Sequence, residues 1–348
     1  MRVEEPVTLL TVAERAGVSK TTASDALTGS GRVSERTRAK VVQVAEALGY
    51  VPNGSARHLR RASTGTIGLH VPAVLTRSTY YMSFVFGVVE RAADYDYDVT
   101  LITSGQRRAA TRHAPRVDGL VLGDPLGGDP VVERLMTAGL PTVTCERFPG
   151  TARADGVVRS EHATVVGQIL EHLRARGATR PTIIAAGDES DWGASVQRGY
   201  RAWCARYGVP AVARTVAFDA SADELRAAAR ALLAAAPEVD AIVCATAGAA
   251  AEILPVLREA GRTVGADLLL ASCVDTPAMR SADPPITAMD LRPREAGATC
   301  ADLLFELLRG DTPTGTERVH PVELLIRASS AQISSIRSAT ESTMRDGR

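Results

Sequence analysis

The chain has 348 residues, 45% hydrophobic and 23% charged, which is too long for one ordinary core and predicts two or three domains. No apolar run approaches the roughly 20 residues of a membrane span, and Glu4, Glu5 and Pro6 break any secretion signal, so a cytoplasmic protein with no membrane partner is expected. Forty Lys and Arg balance forty Asp and Glu, yet residues 1–61 hold ten bases against six acids: a head of +4 on a body of −4, the charge distribution of a phosphate-binding module.

The head begins with TLLTVAERAGVSKTTASDALTGSGRVSERTRAKV, Thr8 to Val41. Thr8 can cap a first helix whose apolar positions Leu10, Val12, Ala13 and Ala16 recur near helical spacing, and Gly17 ends it with a positive φ. Val18 fills the angle to a second helix, Lys20 to Leu27, capped by Ser19. Its buried side is Ala23, Ala26 and Leu27, with Lys20, Thr21, Thr22, Ser24 and Asp25 outward. Small residues at Ala13, Ala16 and Ala23 allow the close crossing of a helix-turn-helix.

Gly29, Ser30 and Gly31 make a turn, Ser34 caps a third helix, Glu35 to Leu48, with Val41, Val44, Ala45 and Leu48 inward, and Gly49 stops it. Three short helices bury little surface, so the head is marginally stable by itself. A three-helix bundle without a nucleic-acid role is the alternative, but it does not need an outward strip of Lys, Thr and Ser. The basic stretch that follows, VPNGSARHLRR from Val51 to Arg61, suits a DNA minor groove; a solvated charged linker is the other reading.

The segments TLLTVAERAGVS, VSERTRAKV and LGYVPNGSARHLR together resemble the DNA-binding head and hinge of the lactose-repressor (LacI/GalR) family, and the likeness runs more loosely to about residue 331. The resemblance implies a double-stranded DNA operator as partner. The second helix would lie in the major groove with Lys20, Thr21 and Asp25 at base edges. Thr8, Ser19, Thr22, Ser24, Ser34, Thr37 and Asn53 would contact phosphates or cap helices against them. Asp25 departs from the Arg often found there, which implies an altered operator. In the hinge, Leu59 matches a wedge between base pairs, Ala56 permits close approach and Arg60 reaches minor-groove or phosphate acceptors.

From Thr66 the body alternates short apolar runs with helical patterns. Strands are expected at Ile67 to Val71, Val99 to Thr103, Gly119 to Leu122, Thr142 to Cys145, Thr182 to Ala186, Ala241 to Cys244 and Leu268 to Ser272. Helices are expected at Phe84 to Ala93, Val131 to Ala138, Thr164 to Arg176, Ser195 to Tyr207, Asp223 to Ala235 and Ala250 to Ala260. Such alternation predicts an α/β body of parallel sheets wrapped by helices, in two lobes at this length. The segments TGTIGLHVP, RVDGLVLGD, GLPTVTCERF, HLRARGATRPTII, PPITAMDLRPREAG and HPVELLIRASS stand in the family's order. They imply Rossmann-like lobes of periplasmic-binding-protein type around a cleft for a small-molecule effector.

The expected organisation is a head at 1–52, a hinge helix and linker at 53–65, a two-lobed effector-binding and dimerisation body at 66–338, and a disordered tail at 339–348. The N-lobe would take about 66–158 and 290–320, the C-lobe about 159–289 and 321–338. The stretch between Thr103 and Val117 looks shorter than in the family. The polar end of the chain, Ser334 to Arg348, has no leucine heptads, so a homodimer is expected.

The cleft departs most from the resemblance. Relatives place Arg where Val196 stands, Asn-Asp where Thr246 and Ala247 stand, and a first aspartate where Val274 stands, with Asp275 kept. Losing those groups would leave buried hydroxyls unsatisfied, so a hexose or pentose is not the expected effector: either the ligand is less hydroxylated, or the cleft is ligand-insensitive and another input controls the protein. Tyr80 and Tyr81 match aromatic cleft positions or are simply core. No Walker loop, G-x-G-x-x-G, G-x-S-x-G or metal-spaced cluster occurs, so neither an enzyme nor a cofactor is expected. A solute-binding protein would share the body but carry a secretion signal and no basic head. The five cysteines, Cys145, Cys204, Cys244, Cys273 and Cys300, are widely spaced without a C-x-x-C pair, which predicts buried thiols.

Overall fold

The computed structural model describes residues 7–29, 31–50, 63–72, 78–104 and 115–330. The expectations placed on Asn53, Ala56, Leu59 and Arg60, on the segment 105–114 and on the tail at 339–348 lie outside the described residues. The chain divides into two compact units, residues 1–64 and 65–348.

The first unit contains α1 (Leu9–Ala16), α2 (Lys20–Thr28) and α3 (Glu35–Ala47). All three helices start on one device. The cap hydroxyl accepts the backbone N–H three residues on: Thr8 from Thr11 at 3.3 Å, Ser19 from Thr22 at 3.0 Å, Ser34 from Thr37 at 3.3 Å. The residue three on is each time a threonine whose own hydroxyl meets the cap hydroxyl, at 3.0, 2.8 and 2.8 Å. The repeated [ST]-x-x-T therefore fixes where each helix begins. Val12, Ala13, Ala16, Ala23, Ala26, Val41 and Ala45 form the core, and Arg38 Nη1 donates to the Ala26 carbonyl at 3.1 Å, tying α3 to the end of α2. Leu10, expected inside, is 53% exposed: it stands roughly 200° round the helix from Val12 at 3.6 residues per turn.

The second unit runs β1 (Thr66–His70), α4 (Thr79–Asp94), β2 (Asp98–Ile102), β3 (Gly119–Gly123), α5 (Pro130–Met136), β4 (Thr142–Cys145), β5 (Gly156–Arg159) and α6 (His162–Ala175). It continues with β6 (Pro181–Ala186), α7 (Asp191–Tyr207), β7 (Ala213–Val216), α8 (Ala222–Ala235), β8 (Ala241–Cys244), α9 (Ala249–Glu259), β9 (Leu269–Ser272) and α10 (Pro277–Ser281). It closes with β10 (Thr287–Asp290), α11 (Pro293–Arg309), β11 (Thr316–Val319), β12 (Glu323–Leu325) and a 3₁₀ turn, Ala328–Ser330.

Among the described residues two six-stranded sheets result, ordered β11-β5-β4-β3-β1-β2 and β12-β10-β9-β8-β6-β7. The first is parallel throughout, and in the second only β12 runs antiparallel, against β10. The strand β3, GLVLG, is buried at every residue, as expected of a parallel strand covered on both faces. The chain crosses between sheets after β5, after β10 and after β11. All five cysteines are buried and unbridged. Among the described residues, no helix is long and apolar enough to cross a membrane.

The helix α11 is not among the helices expected above. Pro293 stands at its first turn, where the missing N–H costs nothing, and Gly297 is needed for contact with α4. A Cβ on Gly297 would overlap the Phe84 carbonyl, and one on Gly87 would overlap that of Arg294. Gly297→Ala should therefore destabilise the body by roughly 1–3 kcal/mol, as overpacking does. A thermal melt unchanged from the parent would contradict this close crossing.

Candidate nucleic-acid interface and interlobe cavity

Lys20 and Thr21 are exposed on α2, as are the caps Thr8, Ser19 and Ser34, while Thr22 and Thr37 are half-buried. The caps put hydroxyls at three helix N-termini, where the backbone N–H groups and the helix dipole favour an anion. Two expectations are corrected. Ser24 is only 5% exposed, because it falls inside the arc from Ala23 to Leu27 that packs on the other helices, so no phosphate reaches it there. Asp25 is half-buried rather than outward. Its carboxylate lies over Gly31, whose positive φ of 71° and missing Cβ make room for it, so Asp25 also shapes the turn between α2 and α3.

In the second unit a cavity of about 300 Å³ opens between the lobes. It lies where strands of both sheets end at their carboxyl termini, the usual ligand position in parallel sheets. Asp124 directly follows β3 and Glu146 directly follows β4, both at positive φ, 43° and 67°. Their backbones stay on the ladder, Asp124 N–H to Cys145 O at 3.0 Å and Glu146 N–H to Val158 O at 2.8 Å, which holds the strained conformation in place.

Tyr81 Oη donates to Asp124 Oδ2 at 2.7 Å. Glu146 Oε1 accepts from Ser160 N–H at 3.1 Å and lies 2.8 Å from His162 Nε2. Tyr80, Tyr81, Trp192 and Phe218 form an aromatic wall, with ring centroids 5.0 Å apart for Tyr80 and Tyr81, 6.5 Å for Tyr81 and Phe218, and 6.0 Å for Trp192 and Phe218. Among the described residues no partner reaches Ser78 Oγ, Glu146 Oε2, Trp192 Nε1 or Thr246 Oγ1, and all four residues line the cavity.

Burial, reinforced by Glu146, pushes the Asp124 carboxyl up to about 7 against the opposing effects of the Tyr81 bond and His162; Asp191 adds to the rise. For His162 burial works downward, but Glu146, Asp124 and Asp191 outweigh it and the net shift is upward. An acid whose folded pKa is raised binds more protons folded than unfolded. Its contribution to stability is thus fully present below the unfolded value near 3.8 and is lost as pH rises through about 7. Asp124→Asn keeps an acceptor for Tyr81 and removes the charge. The variant should gain up to a few kcal/mol over the parent at pH 8, at about 1.36 kcal/mol per pKa unit, and little at pH 4. Denaturant melts at the two pH values check this; an equal shift at both would contradict it.

Of the residues expected in the cleft, Tyr80, Tyr81, Thr246, Ala247 and Val274 line the cavity. Val196 does not: it packs in the core with Val166, Trp192 and Tyr200, on the α7 face toward α6. Nor does Asp275, whose carboxylate is held by Arg327 at 2.8 and 3.1 Å and by Arg280 at 3.0 Å. The cavity nevertheless holds polar groups that the sequence reading missed, on Asp124, Glu146, His162 and Trp192. The available signal was an acid placed immediately after an apolar parallel strand, in LVLGD and VTCE.

Residues 8–53 match the model for bacterial regulatory proteins of the lacI family, and residues 170–330 match that for a periplasmic binding protein-like domain. The HTH-type transcriptional regulator CelR of Thermobifida fusca is 30% identical over 332 residues, covering 92% of this chain and 98% of the relative. The maltose regulon regulatory protein MalI of Escherichia coli K12 is 27% identical over 343 residues, covering 93% and 99%. Among solved structures, the CelR–cellobiose complex aligns with TM-score 0.69 at 29% identity, covering 93% of this chain and 99% of that one. The lac repressor dimer bound to operator and the anti-inducer ONPF aligns with TM-score 0.81 at 25% identity, covering 94% and 100%. These relatives are regulators rather than enzymes.

Proposed function

The chain belongs to the lacI family of bacterial regulatory proteins and is a DNA-binding transcriptional regulator, and from that premise we propose that it acts as a homodimeric repressor on a near-palindromic operator, under control of a small molecule held between the lobes. The observation that carries this is the exposure of Lys20 and Thr21 on α2, together with the hydroxyl caps at the N-termini of α1, α2 and α3. In this reading α2 lies in the major groove, and Thr8, Ser19, Thr22, Ser34 and Thr37 set its register through phosphates. The hinge residues Asn53, Ala56, Leu59 and Arg60 follow the minor groove, with Leu59 as the wedge.

A dimer is supported by Met82, Phe86 and Val89, exposed by 43%, 52% and 40% along one side of α4. Their spacing of four and three residues makes a single apolar stripe of the kind that two copies cover symmetrically. Ligand control is supported by the interlobe cavity and its unpartnered polar atoms, which favour an occupied site over a ligand-insensitive cleft. A ligand that binds one lobe arrangement better than another changes DNA affinity by that difference alone.

Selection of sites from random duplexes with the full chain tests the reading. A two-fold sequence should emerge, and Lys20→Ala should relax preference at one symmetric pair of positions and cost about 1–3 kcal/mol. Preference left intact by Lys20→Ala would remove it from the base-reading set.

A further inference from the structure

The charges of the cavity are one-sided. Among the described residues, Asp124, Glu146, Asp219 and Glu252 line it, no Lys or Arg does, and His162 is its one basic side chain. At the rim, Glu252 is occupied by Arg226 Nη2 at 2.6 Å. The deep pair behaves differently: Asp124 is 8% and Glu146 5% exposed, Tyr81 is a neutral partner to Asp124, and Glu146 Oε2 has no partner among the described residues. Facing them are the rings of Tyr80, Tyr81, Trp192 and Phe218.

Among the described residues, an anion would meet two buried acids and a wall that offers no guanidinium or ammonium. A neutral sugar could use the hydroxyls and the Trp192 N–H, but would leave two buried acids with His162, 2.8 Å from Glu146 Oε1, as the one counter-charge among the described lining residues. An organic cation answers both needs: aromatic faces attract it through their quadrupoles, and it meets the two acid oxygens that His162 does not reach, Glu146 Oε2, which has no partner among the described residues, and the Asp124 carboxyl, whose partner Tyr81 is neutral.

We propose that the interlobe cavity selects a small organic cation, an amine or quaternary ammonium compound whose nitrogen sits between Glu146 and Asp124 with its body against Tyr80, Tyr81, Trp192 and Phe218. This rests on the reading of the cavity as the effector site. A volume of about 300 Å³ is at the small end for ligand pockets, which suits a compact compound.

Calorimetry on the full chain with two matched pairs tests it: choline against its neutral carbon isostere 3,3-dimethylbutan-1-ol, and glucosamine against glucose, with cellobiose as a neutral control. In at least one pair the cation should bind about tenfold or more tighter than its partner, and Glu146→Gln, checked for an unchanged melt, should abolish the preference. Trp192→Phe offers a second variant that keeps the charge and alters the wall; it should weaken the cation less than Glu146→Gln does. Equal or tighter binding of the neutral partner in both pairs, binding of cellobiose alone, or no detectable cation binding at millimolar concentration would each overturn the proposal. Operator affinity separates the two readings. A cation that binds without changing it defeats the effector role and leaves the ligand class standing. A neutral sugar that binds and changes it defeats the ligand class and leaves the effector role standing.

Discussion

Phe86→Glu is expected to turn the dimer into a monomer and to weaken operator binding by roughly 10²–10⁴-fold, the gain usually lost when two linked contacts become one. Phe86 is the most exposed member of the stripe with Met82 and Val89, and it stands on the side of α4 away from the core cluster of Tyr81, Phe84, Val88 and Ala92. A charge there leaves the fold intact but has to be desolvated before two copies can close over it. The two halves of a palindrome are then read by separate molecules, each with only its own few contacts. Sedimentation velocity with the full chain and binding to a two-fold duplex check both parts. A variant that remains dimeric at micromolar concentration would show that the subunits meet elsewhere.

Leu59→Ala carries the second large effect. The gap between specific and non-specific affinity spans roughly 10³–10⁷ in proteins that read DNA, and removing the wedge should narrow it by about a decade or more. The phosphate contacts proposed for Thr8, Ser19 and Ser34 would be indifferent to sequence, so binding to random duplexes should change little. The asymmetry is what distinguishes a wedge from a basic tether: equal losses on both duplexes would make Leu59 part of a linker and nothing more.

The head was legible because its signals are local. Thr8, Ser19 and Ser34 sit three residues before Thr11, Thr22 and Thr37, and a cap needs no distant partner to form. The central strands β1, β3, β4, β6, β8 and β9 were legible too, since a strand covered on both faces reads as an apolar run. By contrast, β7 and β11 lie at sheet edges with half their residues exposed, and α11 contains Pro293 and Gly297, which look like breakers until the contact with α4 is known.

The cavity was harder, because matching a position to a family says nothing about where the side chain points. Val196 packs in the core with Val166, Trp192 and Tyr200, and Asp275 is taken up by Arg327, more than fifty residues away, at 2.8 Å. Asp124 and Glu146 were visible only as acids ending apolar strands, and their meeting depends on β3 and β4 being neighbours. Sequence periodicity contains no statement about strand order.

The most direct test is fluorescence anisotropy of the full chain, at one fixed salt concentration, on three duplexes: a selected two-fold site, the same site with one half scrambled, and a random sequence. Tight binding to the intact site is expected, with a large loss when one half is scrambled and weak binding to the random duplex with a steep salt dependence. Equal affinity for all three would contradict it, leaving a basic head that binds phosphate without reading sequence.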